Sequence, residues 1–414
     1  MMSNATRILF ALLAGLILGI VAAALSPELA RTAASVADPV GTLWLNGLRM
    51  TIIPLVVALL ITGIGQTAEA ARAGRLAGRA MFWFVAVLWT TTIASALIFP
   101  VLLDLWPMPA ESASALKAAL AQAAPAGPVP TLGDFVRSII PSNPITAAAE
   151  NQILPLVVFA TFFAFAVTQL PPGPRDRMTE FFSAIADTML IIVGWILRFA
   201  PIGVFALAFA VGARSGAAAF GGLAHYVICV SSMGILVGLS AYGVARIAGG
   251  VPLMEFARAV APAQAVAIST QSSLASLPEM LRGSAKLGAS QATAGVVLPL
   301  AVALFRATSP AMNLAVALYI AHWYGIALTP TVLFAGVATA AVTTMGSISL
   351  PGTITYFSSV APVALAMGVP LEPLALLVAV ETVPDIFRTV GNVTMDIAAT
   401  VSIARKSGSP AAVI

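Results

Sequence analysis

VAVETVPDIFRTVGNVTMDIAATVSIAR, residues Val378–Arg405, decides how the rest of the chain is read. Glu381, Asp385, Arg388, Thr389, Asn392 and Asp396 follow at spacings of four, three, one, three and four. On a helix of 3.6 residues per turn these positions form a single polar stripe in an otherwise apolar segment. Each charge at the centre of a bilayer costs roughly 2.5–3.5 kcal/mol even on a lenient insertion scale. The stripe therefore faces a protein interior or a cavity, where its members have partners. Arg388 presents a planar fork suited to gripping a carboxylate through two hydrogen bonds. Asp385, one turn earlier, can receive an ammonium group. The two together complement an acidic amino acid, or else they form an internal salt bridge with each other. Pro384 loosens the helix beside Asp385 or merely kinks it.

The remainder of the chain supports a membrane setting. Its 414 residues are 60% hydrophobic and only 9% charged, with a mean hydropathy of +1.00. Soluble domains carry about a quarter charged residues. The net charge of +4 comes from basic residues scattered singly through loops, which argues against nucleic-acid binding and for membrane topology. One cysteine, Cys229, excludes a disulfide framework, and His225 and His322 alone leave little for a zinc or haem centre. No cofactor is expected.

Apolar spans are expected at 8–25, 41–66, 78–103, 145–170, 180–213 and 221–249. The first reads as a retained helix rather than a signal peptide. Asp104–Pro130 reads as an exposed loop or a weak amphipathic segment. With the N-terminus inside, ten basic residues fall in inner loops against four outside, so both termini are expected in the cytoplasm and the protein in the cytoplasmic (inner) membrane. Beyond Pro252 the apolar runs are interrupted twice, by STQSSLASLP (Ser269–Pro278) and by TTMGSISLPGT (Thr343–Thr353). Non-helical backbone survives at membrane depth only inside protein or beside water. A matched pair of such interruptions points to re-entrant hairpins around a transporter's binding site rather than to two kinked helices.

Several motifs, in order along nearly the whole chain, resemble those of the dicarboxylate/amino acid:cation symporter family, the glutamate transporters. The last helix is similar to the family pattern D-x-x-R-T-x-x-N-V-x-x-D at Asp385, Arg388, Thr389, Asn392, Val393 and Asp396. Asp38–Ile64, Ile139–Val167 and Arg198–Leu207 resemble its second, fourth and fifth helices, while QSSLASLP and GSISLPGT resemble the tips of its two hairpins. The resemblance implies an all-α polytopic protein of eight transmembrane helices and two re-entrant helical hairpins, built from inverted repeats. It implies a homotrimer in the lipid bilayer that works as an elevator. The scaffold would comprise residues 1–77 and 104–213. The transport domain would comprise 78–103 and 214–414, with the first hairpin at about 257–287, the seventh helix at 291–326, the second hairpin at 330–365 and the last helix at 370–405.

By the same resemblance Arg388 binds the substrate's side-chain carboxylate and Asp385 its ammonium. Thr389, Asn392, Ser272, Ser273, Ser309 and the second hairpin's Leu350, Pro351 and Gly352 complete the site. Relatives that take succinate-like dicarboxylates usually lack an aspartate at the position of Asp385, so aspartate or glutamate is the expected substrate, with C4-dicarboxylates the alternative. The family's seventh helix is interrupted by N-M-D-G-T, whose Asn and Asp help to hold sodium. This sequence has Phe305, Arg306, Ala307, Thr308 and Ser309 there. Hard cations need oxygen ligands, and a nearby guanidinium repels them. The expectation is that Arg306 pairs with Asp396 as a built-in substitute for sodium, leaving Asn392 and Asp396 as the only residual sodium ligands. A shifted sodium site, or proton coupling through Glu381 or Asp385, stays open. Asn313 stands where proton-coupled eukaryotic relatives have a glutamate, and it cannot titrate. Gln271 replaces an arginine common in prokaryotic members, Ile354 replaces a glycine, and Thr90–Thr92 and Ser95 lie near another family sodium site.

Other classes fit less well. Ser272 or Ser273 with His225 or His322 lacks a nucleophile elbow, so no enzyme is expected. One asymmetric stripe suits a stoichiometric site better than a channel ring. A folded homologue that senses or scaffolds without transporting is the remaining competitor, recognisable by failure to bind any acidic amino acid.

Overall fold

The protein, seen here as a computed structural model, is described at residues 4–72, 74–119, 137, 139–215, 218–346 and 353–406. Helices α1 (Asn4–Leu25), α2 (Pro27–Arg72), α3 (Arg75–Leu105) and α4 (Ala110–Ala119) open the chain. There follow α5 (Pro144–Ala149), α6 (Ile153–Val167), α7 (Pro172–Arg198), α8 (Ala200–Ser215) and α9 (Ala218–Ile247). The C-terminal part comprises α10 (Leu253–Thr270), α11 (Ser273–Lys286), α12 (Gln291–Leu304), α13 (Ser309–Tyr324), α14 (Pro330–Gly346), α15 (Thr353–Ala366), α16 (Glu372–Leu377) and α17 (Thr382–Lys406). Among the described residues there is no strand, and six stretches of helix are long and apolar enough to cross a bilayer. The exposed Phe10, Ile17, Phe82, Leu97, Ile191 and Trp195 lie on these helices, as lipid-facing positions do. The chain is an all-helical, polytopic membrane protein.

The expected spans are helical, with four differences. The fourth of them, 145–170, is divided by a turn at Glu150–Asn151 into α5 and the short α6. The second is a continuous helix of 46 residues, too long for a bilayer core of about 30 Å unless strongly tilted or bent. Pro39 and Pro54 inside it each remove a backbone hydrogen bond and supply places to bend. The span at 180–213 is two helices meeting at Phe199, since Pro201 cannot donate to the carbonyl four residues back. The Trp44 indole N–H donates to the Ile196 carbonyl at that junction (3.1 Å). Within Asp104–Pro130 the described part forms the helix α4, and Trp323 donates to its Ala113 carbonyl (3.0 Å).

Two buried apolar clusters organise the body. One gathers α1, α2, α8, α13 and α15 around the fully buried Leu12, Leu48, Phe99, Tyr226 and Tyr356. The other packs α10–α12 on α17 around Phe256, Met280, Leu298 and Ile397. Helices α10 and α11 are antiparallel partners joined at Gln271–Ser272, and α14 and α15 form a second such pair. An ion pair between Arg49 and Glu372 (2.7 Å) ties α2 to α16.

The crossing of α9 over α17 positions the polar stripe. It is close because glycine faces glycine: a Cβ on Gly238 would press on the Cα of Gly391, and one on Gly391 would run into the Thr308 side chain and the Gly234 carbonyl. Small residues allow such approach between membrane helices. Replacing Gly391 with Leu should cost about 1–3 kcal/mol of stability through overpacking. Thermal unfolding in detergent checks this, and a variant melting with the wild type would show that the crossing tolerates separation.

Candidate functional site

The site is assembled on α17, whose first turn is set by Pro384. Proline is tolerated in a first helical turn because its missing N–H has no helical partner to lose. Pro384 thus starts the helix instead of kinking its middle, and the turn Val378–Glu381 separates α17 from the short α16 where one continuous helix was expected. The Asp385 N–H donates to the Glu381 carbonyl (2.9 Å), so Glu381 stands at the helix entrance, one turn above Asp385 and two above Arg388.

Arg388 is clasped by both carboxylates. Its Nη1 donates to Asp385 Oδ1 (2.9 Å) and its Nη2 lies 2.6 Å from Glu381 Oε1. The internal salt bridge between Asp385 and Arg388 therefore forms, and Glu381 adds a second. The arginine side chain is 10% exposed and the glutamate 3%, so these are charges held away from water by one another. Tyr226 of α9 donates its hydroxyl to Glu381 Oε2 (2.9 Å), and Tyr356 of α15 lies 3.3 Å from that hydroxyl. Neither tyrosine was singled out in the sequence. Their signal there is faint: a phenol in an apolar helix needs a partner, but the sequence does not name it.

Asn392 and Thr389 serve the backbone as well as the stripe. The Thr389 hydroxyl donates to the Asp385 carbonyl (2.9 Å). Asn392 Oδ1 accepts the N–H of Thr308 (2.9 Å), and the Thr308 hydroxyl reaches the Arg388 carbonyl (2.7 Å). These bonds clamp α17 to the interruption between α12 and α13, residues 305–308, where the seventh helix was expected to be broken. Phe305 stacks on Phe84 of α3 (4.4 Å between ring centroids). Thr91 donates to the Ala307 carbonyl (2.9 Å) and Ser95 to that of Ala311 (2.8 Å). The α3 hydroxyls thus satisfy backbone at and just beyond the break, as interrupted membrane helices require. Ser309 is buried at the start of α13, its N–H bonded to the Arg306 carbonyl (3.0 Å).

Arg306, in the same break, is 7% exposed and lies in the field of Asp396, Asp385 and Arg388. Asp396 is fully buried, and its carboxylate oxygens accept no hydrogen bond among the described residues.

Of the hairpin residues, Ser272 caps α11 through the Ala275 N–H (3.2 Å) and Ser273 begins that helix, both half-buried. Gln271 closes α10 in the left-handed region (φ 50°), a conformation that costs a non-glycine residue about 1–2 kcal/mol. Helices α10 and α11 both pack on α17, and Gln264 donates to the Thr394 hydroxyl (2.9 Å). Leu350, Pro351 and Gly352 lie outside the described residues. His225 is held by the Tyr319 hydroxyl and the Trp106 carbonyl (2.9 Å each), a packing role that gives no support to a hydrolase.

Two cavities of about 450 Å³ share Gln66, Ser183 and Asp187; one runs along α2 and α7, and the other lies between these helices and Leu274, Pro299 and Met345 of α11, α12 and α14. Neither is lined by the Arg388 cluster, which is closed in on itself.

Buried paired charges inside an all-helical, polytopic body are what a membrane carrier requires. The chain belongs to the sodium:dicarboxylate symporter family, whose profile matches residues 5–406. The chain is similar to the proton/glutamate-aspartate symporter of Escherichia coli, at 26% identity over 97% of this chain and 92% of the relative. It is also similar to C4-dicarboxylate transport protein 3 of Ralstonia nicotianae, at 29% identity over 97% of this chain and 88% of that one. A third relative is the proton/sodium-glutamate symport protein of Bacillus caldotenax, at 26% identity over 92% and 89%.

The Thr308 clamp is the most local test of this geometry. Thr308→Ala removes the second donor to the Arg388 carbonyl, which keeps its helical N–H partner, and should cost about 0.5–1.5 kcal/mol in thermal unfolding. Thr308→Ser should restore most of it.

Proposed function

We propose that the protein is a secondary transporter carrying acidic amino acids, aspartate or glutamate, across the cytoplasmic membrane. The observation that carries this reading is the buried pairing of Asp385 with Arg388, one turn apart on α17. An arriving amino acid exchanges partners with it. The substrate's side-chain carboxylate takes the arginine's fork, and its ammonium takes the aspartate that the arginine releases. Neither charge is left unpaired, which is the condition for binding ions in a low-dielectric interior. Thr389, Asn392, Ser309 and the backbone at Ser272–Ser273 supply further polar contacts, and the tip at Leu350–Gly352 closes over the substrate.

The architecture proposed is that of eight transmembrane helices with two re-entrant hairpins, α10–α11 and α14–α15. Residues 1–77 and 104–213 form the scaffold of a homotrimer. Residues 78–103 and 214–414 form the moving elevator, and both termini are cytoplasmic. The packing of both α10 and α11 on α17 supports the hairpin reading.

Arg306 weakens or removes sodium coupling. A guanidinium buried in the field of Asp396 supplies the positive charge that a bound sodium would bring, and repels a second cation by several kcal/mol at an effective dielectric near 20. A second substrate reading, C4-dicarboxylates, is favoured by the names of several relatives. It leaves Asp385 facing no ammonium, which is why the amino-acid reading comes first.

Purified protein in liposomes, given radiolabelled L-aspartate, tests both parts. Uptake should be equal with and without an inward sodium gradient. It should fall at least about 30-fold in Arg388→Ala, the loss of a buried charge partner being worth 2–5 kcal/mol. Uptake that requires sodium would overturn the role given to Arg306. Succinate that outcompetes aspartate would overturn the substrate order.

A further inference from the structure

Arg388 has one cation to offer and is already held by two carboxylates. The proposed substrate, on whose binding this inference rests, brings another. Asp385 is compensated when it passes from the arginine to the substrate ammonium. Glu381 is not. Its partners among the described residues are Arg388 and the Tyr226 hydroxyl, and its exposure is 3%. Among the described residues, the charged and titratable groups facing it are Arg388 and Asp385 from α17, Tyr226 from α9 and Tyr356 from α15. None of these is a second cation. A carboxylate stripped of its only cation inside a membrane protein takes a proton rather than stay charged.

We infer that Glu381 is the proton carrier of the cycle: it occupies Arg388 as a tethered carboxylate in the empty site, and it leaves as a neutral acid when substrate arrives. The step balances simply. The ion pair between Arg388 Nη2 and Glu381 Oε1 breaks and one forms to the substrate carboxylate. One proton from water bonds to the Glu381 carboxylate, and on substrate release the proton departs and the original pair re-forms.

The two tyrosines make both forms of Glu381 stable. In the ionised form Tyr226 donates to Glu381 Oε2, as observed. In the neutral form the glutamic acid O–H donates to the Tyr226 oxygen, and Tyr226 turns its own proton toward Tyr356, 3.3 Å away. A single phenol would lose its acceptor in one of the two states. The pair lets the hydrogen-bond chain reverse without stranding a buried polar group, which would cost about 1–3 kcal/mol. Because Tyr356 belongs to α15, the same chain connects the state of Glu381 to the second helix pair.

The test is calorimetric binding of L-aspartate to the full-length protein in sodium-free solution, in buffers of different ionisation enthalpy. Wild type should take up about one proton per aspartate, and Kd should rise about tenfold per pH unit above neutrality, the slope that one linked proton dictates. Glu381→Gln should take up none. It should bind with a pH-independent Kd about tenfold or more tighter than wild type at pH 8, because the internal competitor is gone. Binding without proton uptake by wild type, or proton uptake retained in Glu381→Gln, overturns the inference. Absence of binding by aspartate, glutamate and succinate alike would instead overturn the functional reading beneath it. Should Glu381→Gln not fold, Tyr226→Phe decides: a proton on Glu381 requires the Kd–pH curve to move, and an unmoved curve places the proton elsewhere.

Discussion

The guanidinium of Arg388 between Glu381 and Asp385 is the interaction on which the rest of the C-terminal half depends. A cation and two carboxylates taken from water are expensive, and their mutual attraction offsets that cost only where geometry is held tightly. Four features supply the hold. Pro384 fixes where α17 begins. Gly391 lets α9 come close enough to bring Tyr226 to Glu381. Thr308 and Asn392 tie the helix to the broken segment on its other side. The hydroxyls of Thr91 and Ser95 in turn steady backbone around that break.

Much of this was legible in the sequence. The stripe on α17 announced itself by spacing, because charges in an apolar helix are costly enough to be rare. The first interrupted run appears as a break at Gln271–Ser272 between α10 and α11, although Pro278 continues within α11, and the second falls largely outside the described residues. The break at 305–308 was expected from alignment to a family motif, and it occurs where the sequence offers little local reason beyond Pro310.

What stayed hidden depends on contacts between distant segments. Glu381 was counted as one more member of the stripe, whereas it closes the arginine's other side. That role needs the turn Val378–Glu381, which no periodicity reveals. Tyr226 and Tyr356 are separated by 130 residues and look like ordinary aromatic members of apolar helices. The hydroxyls of α3 suggested an ion site and are donors to backbone carbonyls. Pro384 looked like a kink because its distance from the helix start could not be known until that start was seen.

Arg306 also bears on energetics in a way that composition alone does not suggest. A diffusible cation that binds on one side and leaves on the other spends its electrochemical gradient on the cargo. In the cycle proposed above, a guanidinium fixed to the chain would make the outward and return journeys alike, so the membrane voltage would do no net work on it over a complete turn. Its charge can shape the site and set its affinity equally on both faces, but it cannot concentrate anything. Any accumulation against a gradient must be driven by a species that arrives and departs.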